Sequence, residues 1–319
     1  MRVLGIDTSN YTTSCALLDT ECMEILQQKQ LLPVPVGQAG LRQSDAVFHH
    51  VRQLPMLMEQ LFSGSDGAAA DAVGVSTQPR SEEGSYMPCF LVGQGTARIL
   101  SAASGAPLYE TSHQMGHILA ALYSADRLSW CEAGHSPFLA FHVSGGTTDC
   151  VLCTPDRERV LRITPIAQSL DLKAGQAVDR VGLMLGLEFP CGIALEALAM
   201  QSHSRKHAKI TLKNGCCSLS GLQNQCETMH QKGEAAEDIA RYCLNTIAAA
   251  ISEMTKAAAE CTGQTAVLYA GGVMSDVLIQ NQLAALPYET AFAKPAFSCD
   301  NAAGVAIYAA LQEKYSCRF

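Results

Sequence analysis

Val3-Leu4-Gly5-Ile6-Asp7, a polar turn, and Thr12-Thr13-Ser14-Cys15-Ala16-Leu17 recur later in the chain as Phe138 to Val143, Ser144-Gly145-Gly146, and Thr147-Thr148-Asp149-Cys150-Val151-Leu152. Each copy reads as an apolar strand, a tight polar turn and a returning strand. Such a turn can present backbone N–H groups and hydroxyls to an anion, and two of them facing each other would clamp a phosphorylated ligand. Two unrelated Thr-rich hairpins would read the same way, so the repeat gains weight only from features elsewhere.

A chain of 319 residues suits two lobes, each with its own core. Lys+Arg 22 against Asp+Glu 30 gives a formal charge of -8, which excludes a general attraction for polyanions. The single basic cluster is Arg205-Lys206, set between His203 and His207. A hydrophobic content of 48% with 16% charged residues implies apolar surface covered by another subunit, so a homo- or hetero-oligomer is expected. The fourteen cysteines lack the regular spacing of a disulfide-stapled fold and read as reduced, mostly buried thiols. Cys150 and Cys153 would point to opposite faces of a strand, which argues against chelation. The chain enters a strand at once, with no signal core and no run of membrane-spanning length, so a cytoplasmic, non-membrane protein is expected.

Beyond the first hairpin, Met23–Leu32 reads as a third strand and Asp45–Leu61 as a helix with Val47, Val51, Leu54, Met58 and Leu61 on its inner stripe. A strand at Ala72–Ser76 and a helix at Leu91–Ala103 follow. The second copy continues with three strands in Phe138–Thr164 and helices at Ala174–Leu187, Ile193–Ser202 and Ile239–Ala259. It closes with strands at Ala266–Ala270 and Ala291–Ser298 and a final helix at Asn301–Glu313. Arg205–Gly233 is the least regular stretch and reads as an insert or mobile loop. The expected fold is an α/β duplication, each lobe a mixed sheet with helices, which resembles the architecture shared by actin, sugar kinases and the Hsp70 ATPase. The expected domains are a first lobe at 1–108, with the closing helix 301–319 packed on it, and a second lobe at 109–300 carrying the metal and nucleotide segments.

Ser112 can cap a helix that carries His113 and His117 one turn apart, so both imidazoles lie on one face and can share a divalent cation with a third ligand from elsewhere. His203 and His207 have the same spacing among basic neighbours. The first pair is favoured by the apolar Ile118, Leu119 and Leu122 beneath it. Asp300, directly before the last helix, reads either as a cap or as a ligand. Ser144-Gly145-Gly146 suits a phosphate or a plain tight turn. Gly271-Gly272 adds a helix N-terminus, with Ser275 or Asp276 as the cap. Asp179 reads as a solvated helix carboxylate or as an acceptor for ribose hydroxyls. No Glu accompanies the His pair as in His-Glu-x-x-His, which speaks against a peptidase.

These residues come in the order and spacing of the tRNA threonylcarbamoyladenosine synthase family, also labelled O-sialoglycoprotein endopeptidase-like or glycoprotease, and the chain is identified as a divergent member. Further matches are Arg2-Val-Leu-Gly-Ile-Asp-Thr-Ser9, Gly175-Gln-Ala-Val-Asp-Arg180, Leu185-Gly-Leu-Glu-Phe-Pro190, Leu219-Ser-Gly-Leu222 and Ala270-Gly-Gly-Val273. The resemblance implies one iron or zinc ion on His113, His117 and Asp300. It implies nucleotide binding by His142, Val143, Ser144, Gly145, Gly146, Asp179, Gly192, Gly272 and, where the family has Asn, Asp276. It assigns no catalytic residue. The family's early Ser-Cys-Asp-Glu-Thr reads here Ser9-Asn10-Tyr11-Thr12-Thr13, its Gly-Pro-Gly-Leu reads Gln78-Pro79-Arg80-Ser81, and its Ser-Gly-Gly-His-Thr-Gln reads Ser144-Gly-Gly-Thr-Thr-Asp149.

The implied function is a metal-dependent nucleotide-binding transferase that moves threonylcarbamoyl from an adenylate to N6 of adenosine in tRNA. ATP or an acyl-adenylate would be the nucleotide substrate and AMP the product, and tRNA would dock through partner subunits or a local patch. Two alternatives remain at this point: a non-catalytic paralogue serving as regulator or dimerisation subunit, and a carbamoyltransferase with another acceptor.

Overall fold

The computed structural model describes residues 1–9, 11–33, 41–65, 69–82 and 84–316. Asn10 of the early polar turn and the last three residues of the expected closing segment lie outside them. The chain begins with strands β1 (Arg2–Ser9), β2 (Thr12–Asp19) and β3 (Glu24–Leu31), then α1 (Gln43–Ser63), β4 (Ala72–Gln78), α2 (Phe90–Ser104), β5 (Leu108–Ser112) and α3 (His113–Ser124). It continues with β6 (Phe138–Val143), β7 (Thr148–Asp156), β8 (Val160–Gln168), α4 (Ala174–Met184), α5 (Gly192–Ala199), α6 (Ser220–Gln231) and α7 (Ala236–Thr262). The last elements are β9 (Ala266–Ala270), α8 (Val277–Ala284), β10 (Glu289–Phe292) and α9 (Ala303–Ser316).

The strands form two five-stranded sheets of the same design, β3-β2-β1-β4-β5 and β8-β7-β6-β9-β10. In each, the first strand pairs antiparallel with the second and parallel with the fourth. Matching order and matching strand sense are what duplication requires, and chance hairpins would not extend to the parallel half.

The chain divides into two compact units: Met1–Ala133 with Asp156–Leu161 and the segment from Cys299 onward, and Gly134–Pro155 with Arg162–Ser298. The boundary expected at 108/109 therefore falls at 133/134. Parallel pairing of β5 with β4 and packing of α3 on α9 hold residues 109–133 to the first sheet. His113, His117 and Asp300 accordingly belong to the first unit, not to the second.

In the first unit, Leu4, Ile6, Cys15, Leu17, Val73 and Val75 pack against Leu54, Leu57 and Leu61 of α1 and Ala97 of α2, while α9 packs on β1 and β4. With helices on both faces, β1 is buried along nearly its whole length, which is why it reads as a continuous apolar run rather than an alternating one. In the second unit, Leu139, Phe141, Val143 and Tyr269 meet Ile247, Ile251 and Met254 of α7. No disulfide occurs among the described residues, and none of their helices is long and apolar enough to cross a membrane.

Three sequence expectations are corrected. The inner stripe of α1 is rotated: Val51 is exposed, and Ala46, His50 and Gln53 are buried beside Leu54, Leu57 and Leu61. The polar pair is admitted because Thr13 Oγ1 of β2 donates to Gln53 Oε1 at 2.6 Å and accepts from His50 Nδ1 at 2.8 Å. The stretch Arg205–Gly233 is irregular only to Leu219, after which α6 buries Leu222 and Cys226 in the second core; two apolar residues among Gln, Asn and Ser leave little periodicity to read. The last strand is Glu289–Phe292 rather than Ala291–Ser298, since Pro295 has no N–H to donate and opens a short 3₁₀ turn instead.

His50 is fully buried, and its Nε2 has no partner among the described residues. Burial pulls its pKa down to about 4, against the attraction of the Asp7 carboxylate. The unfolded chain takes up a proton near pH 6.5 that the folded chain refuses until about pH 4. The contribution of His50 to stability is therefore complete above pH 6.5 and is lost as pH drops through that window, by about 3 kcal/mol. Urea unfolding of wild type and His50→Gln between pH 7 and pH 4 should show a larger loss in wild type by about 3 kcal/mol, the shared remainder coming from His117, whose pKa is also lowered; parallel profiles would refute it.

Candidate metal centre and glycine cradle

Two local caps prepare the first site. Ser112 Oγ accepts the Met115 N–H at 3.1 Å, which starts α3 at His113 and puts His117 one turn on, on the same face. Before α9 the cap is Asn301, whose Oδ1 accepts the Ala303 N–H at 3.1 Å. The cap-or-ligand question at Asp300 is thus answered in the backbone: capping falls to its neighbour, and the Asp300 carboxylate turns to the imidazoles.

What brings the two segments together is a glycine crossing. A Cβ on Gly304 would overlap the carbonyl of Gly116, and one on Gly116 would press on Val305 at 3.1 Å. Gly116 lies between the two histidines, so α9 reaches the backbone of the turn that carries them.

The resulting separations are 2.9 Å between His113 Nε2 and His117 Nε2, 3.2 Å from His117 Nε2 to Asp300 Oδ1, and 3.4 Å from His113 Nε2 to Asp300 Oδ1. These three residues are the group of metal-ligating side chains that converges among the described residues. An ion bound tetrahedrally at ordinary zinc–nitrogen and zinc–oxygen distances holds its donors about 3.4 Å apart, so this donor set fits a small divalent cation. Thr12 Oγ1 donates to the other Asp300 oxygen, Oδ2, at 3.3 Å.

The charges fit as well. Burial acts to lower the His113 pKa, but the carboxylates of Asp7 and Asp300 overcome it and raise it to about 10. Burial and the charge on His113 keep His117 low and neutral. Burial would raise Asp300, yet its hydrogen bonds to the two imidazoles hold it well below the ordinary carboxylate range. Two carboxylates thus surround a single positive charge, an excess of negative charge that suits a divalent cation better than a proton.

His203 and His207 share the spacing but not the geometry, for residues 201–212 contain no helical turn long enough to stack them and both side chains are exposed. Sequence reading also overlooked Asp7, Ser9, Thr12 and Ser76 around the first site. The available signal was a carboxylate in the middle of a strand otherwise buried and apolar, a placement seldom found without a partner.

In the second unit the Ser144-Gly145-Gly146 turn closes on itself. Ser144 N–H donates to Thr147 O at 2.7 Å, and Ser144 Oγ accepts the Thr147 N–H at 3.2 Å. Gly145 and Gly146 are exposed, and their N–H groups have no protein partner among the described residues. The first turn of α4 rests on this cradle through Gly175 N–H to Ser144 O at 3.1 Å. Gly271, at φ 100°, abuts the Val143 carbonyl where no side chain fits. Val143 itself is a core residue and His142 is half-buried opposite Asp149. Asp179 gives one oxygen, Oδ1, to the Cys191 N–H at 2.9 Å, which anchors the start of α5 at Gly192. Gly272 opens a short 3₁₀ turn. Asp276, not Ser275, caps α8 by accepting the Ile279 N–H at 3.0 Å. Burial, joined by the negative charge of Glu196, raises the Asp276 pKa to about 6.

Two duplicated mixed sheets with helices of this order define the actin, sugar-kinase and Hsp70 ATPase fold class. Within it, the family model of TsaD, tRNA N6-adenosine threonylcarbamoyltransferase, matches residues 25–307, and the chain belongs to that family of transferase enzymes. A tRNA N6-adenosine threonylcarbamoyltransferase of Archaeoglobus fulgidus is 26% identical over 283 residues, covering 89% of this chain and 81% of that protein. Among solved structures, full-length HypF in its phosphate- and nucleotide-bound form aligns with a TM-score of 0.62 at 12% identity, over 100% of this chain and 47% of HypF. The chain thus spans about half the length of that neighbour. A ROK family glucokinase from Streptomyces griseus with glucose and AMPPNP aligns at TM-score 0.52 and 12% identity, over 98% of this chain and 100% of the kinase.

The crossing of α3 and α9 leaves no room for a methyl group. Gly304→Ala should cost about 3 kcal/mol in spite of its better helix propensity, read as a lower urea midpoint; an unchanged or higher midpoint would show that the helices can separate freely.

Proposed function

We propose that this chain transfers threonylcarbamoyl from an adenylate to N6 of adenosine in tRNA, with one iron or zinc ion held by His113, His117 and Asp300. Membership of the transferase family supports the reaction, and the observation that carries the metal is the convergence of two imidazole nitrogens and one carboxylate oxygen at 2.9 to 3.4 Å. The bound ion supplies Lewis-acid polarisation of substrate oxygens. The free N–H groups of Gly145 and Gly146 donate to a phosphate, where glycine lets the ligand approach the backbone. Asp179, with one oxygen on Cys191, offers the other to a ribose hydroxyl, beside Gly192, Gly272, His142 and the backbone of Val143 and Ser144.

The substrate nucleotide is ATP or the acyl-adenylate derived from it. N6 of adenosine attacks the carbamoyl carbon; a C–N bond forms, the bond from that carbon to the phosphate oxygen breaks, AMP leaves with the electron pair, and N6 releases its proton to water. A formal charge of -8 does not draw tRNA to the protein by itself, so tRNA docks through partner subunits or a local patch. Exposed apolar side chains support an oligomer, with Phe48, Val51 and Ile99 on the first unit and Phe189 and Ile193 on the second. The proposed reaction takes place in the cytoplasm.

Incubation with ATP, threonine, bicarbonate, unmodified tRNA and the family's partner subunits should yield threonylcarbamoylated adenosine, detected by mass spectrometry of digested tRNA. His117→Ala should lose its metal by elemental analysis and slow turnover roughly 100-fold or more. Unmodified tRNA with all components present would sink the reaction, and full metal content in the variant would sink the ligand set.

Asp276 is negative above about pH 6 and repels a phosphate. Asp276→Asn keeps a good helix cap and should tighten ATP binding about five-fold at pH 8, with little gain at pH 5, by calorimetry. Equal affinities at pH 8 would remove Asp276 from the nucleotide site.

A further inference from the structure

We propose that Asp7 is the positioning residue of the metal centre, fixing which nitrogen of His113 faces the cation. The inference rests on the metal reading above. Asp7 is fully buried in β1, between β2 and β4. Its Oδ2 accepts Ser9 Oγ at 2.7 Å, and its Oδ1 accepts Ser76 Oγ and meets His113 Nδ1 at 3.1 Å. Its backbone carbonyl accepts Ser14 Oγ at 3.3 Å. A carboxylate offers only lone pairs, so the hydrogen of this contact sits on His113 Nδ1. That leaves Nε2 as the ring's metal-binding atom, and Nε2 is the atom that lies 2.9 Å from His117 Nε2 and 3.4 Å from Asp300 Oδ1.

The two serines make the carboxylate a fixed reference rather than a mobile partner. Without it the ring can turn over and present Nδ1 or the wrong tautomer, and the imidazole loses the basicity that an anionic neighbour lends it. A buried carboxylate is costly in a strand whose neighbouring Ile6 is fully buried, and stapling β1 to β4 through Ser76 alone needs no charge. The charge is accounted for by the ring it holds.

The test is a Zn2+ titration of the full chain against a chromophoric chelator, for wild type, Asp7→Asn and His113→Ala, with urea midpoints alongside. Wild type should bind one zinc, His113→Ala should lose it, and Asp7→Asn should bind roughly 10- to 100-fold more weakly. Wild-type affinity in Asp7→Asn, with binding still lost in His113→Ala, overturns the positioning role and leaves the metal site standing. Equal zinc binding by wild type and His113→Ala overturns the metal reading and this inference with it. If Asp7→Asn does not fold, long-range 1H–15N NMR of zinc-loaded wild type decides: zinc on His113 Nε2 with a protonated Nδ1 supports the role, and zinc on Nδ1 overturns it.

Discussion

The backbone-to-backbone approach of α3 and α9 at Gly116 and Gly304 is the constraint on which the first unit depends. One turn of α3 carries both histidines, and the residue that opens the way to α9 carries the carboxylate. Were the helices spaced by ordinary side chains, at 8 to 10 Å between axes, Asp300 would lie beyond reach of either imidazole. A packing feature with no chemistry of its own therefore decides whether three ligating groups become one site.

Burial of polar groups follows one rule on both faces of the first sheet. Asp7 is tolerated because two hydroxyls and an imidazole satisfy it, and the ion pair with His113 compensates for desolvation. On the other side, Thr13 satisfies His50 and Gln53, and here the solution is neutrality: the imidazole gives up its proton rather than carry a charge into the core. The same residue type thus favours the charged form at position 113, where a metal ion would take the place of the second proton, and the neutral form at position 50, and the difference is the number of carboxylates in contact.

The two copies of the strand-turn-strand unit keep one topology and diverge in what the residues at and beside the turn do. In the first copy, Asp7, Ser9 and Thr12 direct side chains at the histidine–aspartate cluster. In the second, Ser144 and Thr147 close the turn internally and leave glycine N–H groups exposed. A duplicated sheet can support both because strand pairing is made by the backbone, which leaves side chains at the strand ends and in the turn free to change.

The duplication, the strand–helix order, the cap at Ser112, and the candidate donors His113, His117 and Asp300 were legible in the sequence, because apolar runs, caps and i,i+4 spacing are local signals; the cap of α8 was narrowed only to Ser275 or Asp276. The inner stripe of α1 was not, since His50 and Gln53 look like surface residues until Thr13, from a strand paired across the turn, meets them. Nor was the service of Asp7 to His113, 106 residues apart; the preference for His113/His117 over His203/His207 was legible in their apolar neighbours, while the absence of a helical turn under the second pair was not. Spacing along one helix is written in the chain; the meeting of residues from different elements is set by how closely their backbones pack, and only the tertiary structure contains that distance.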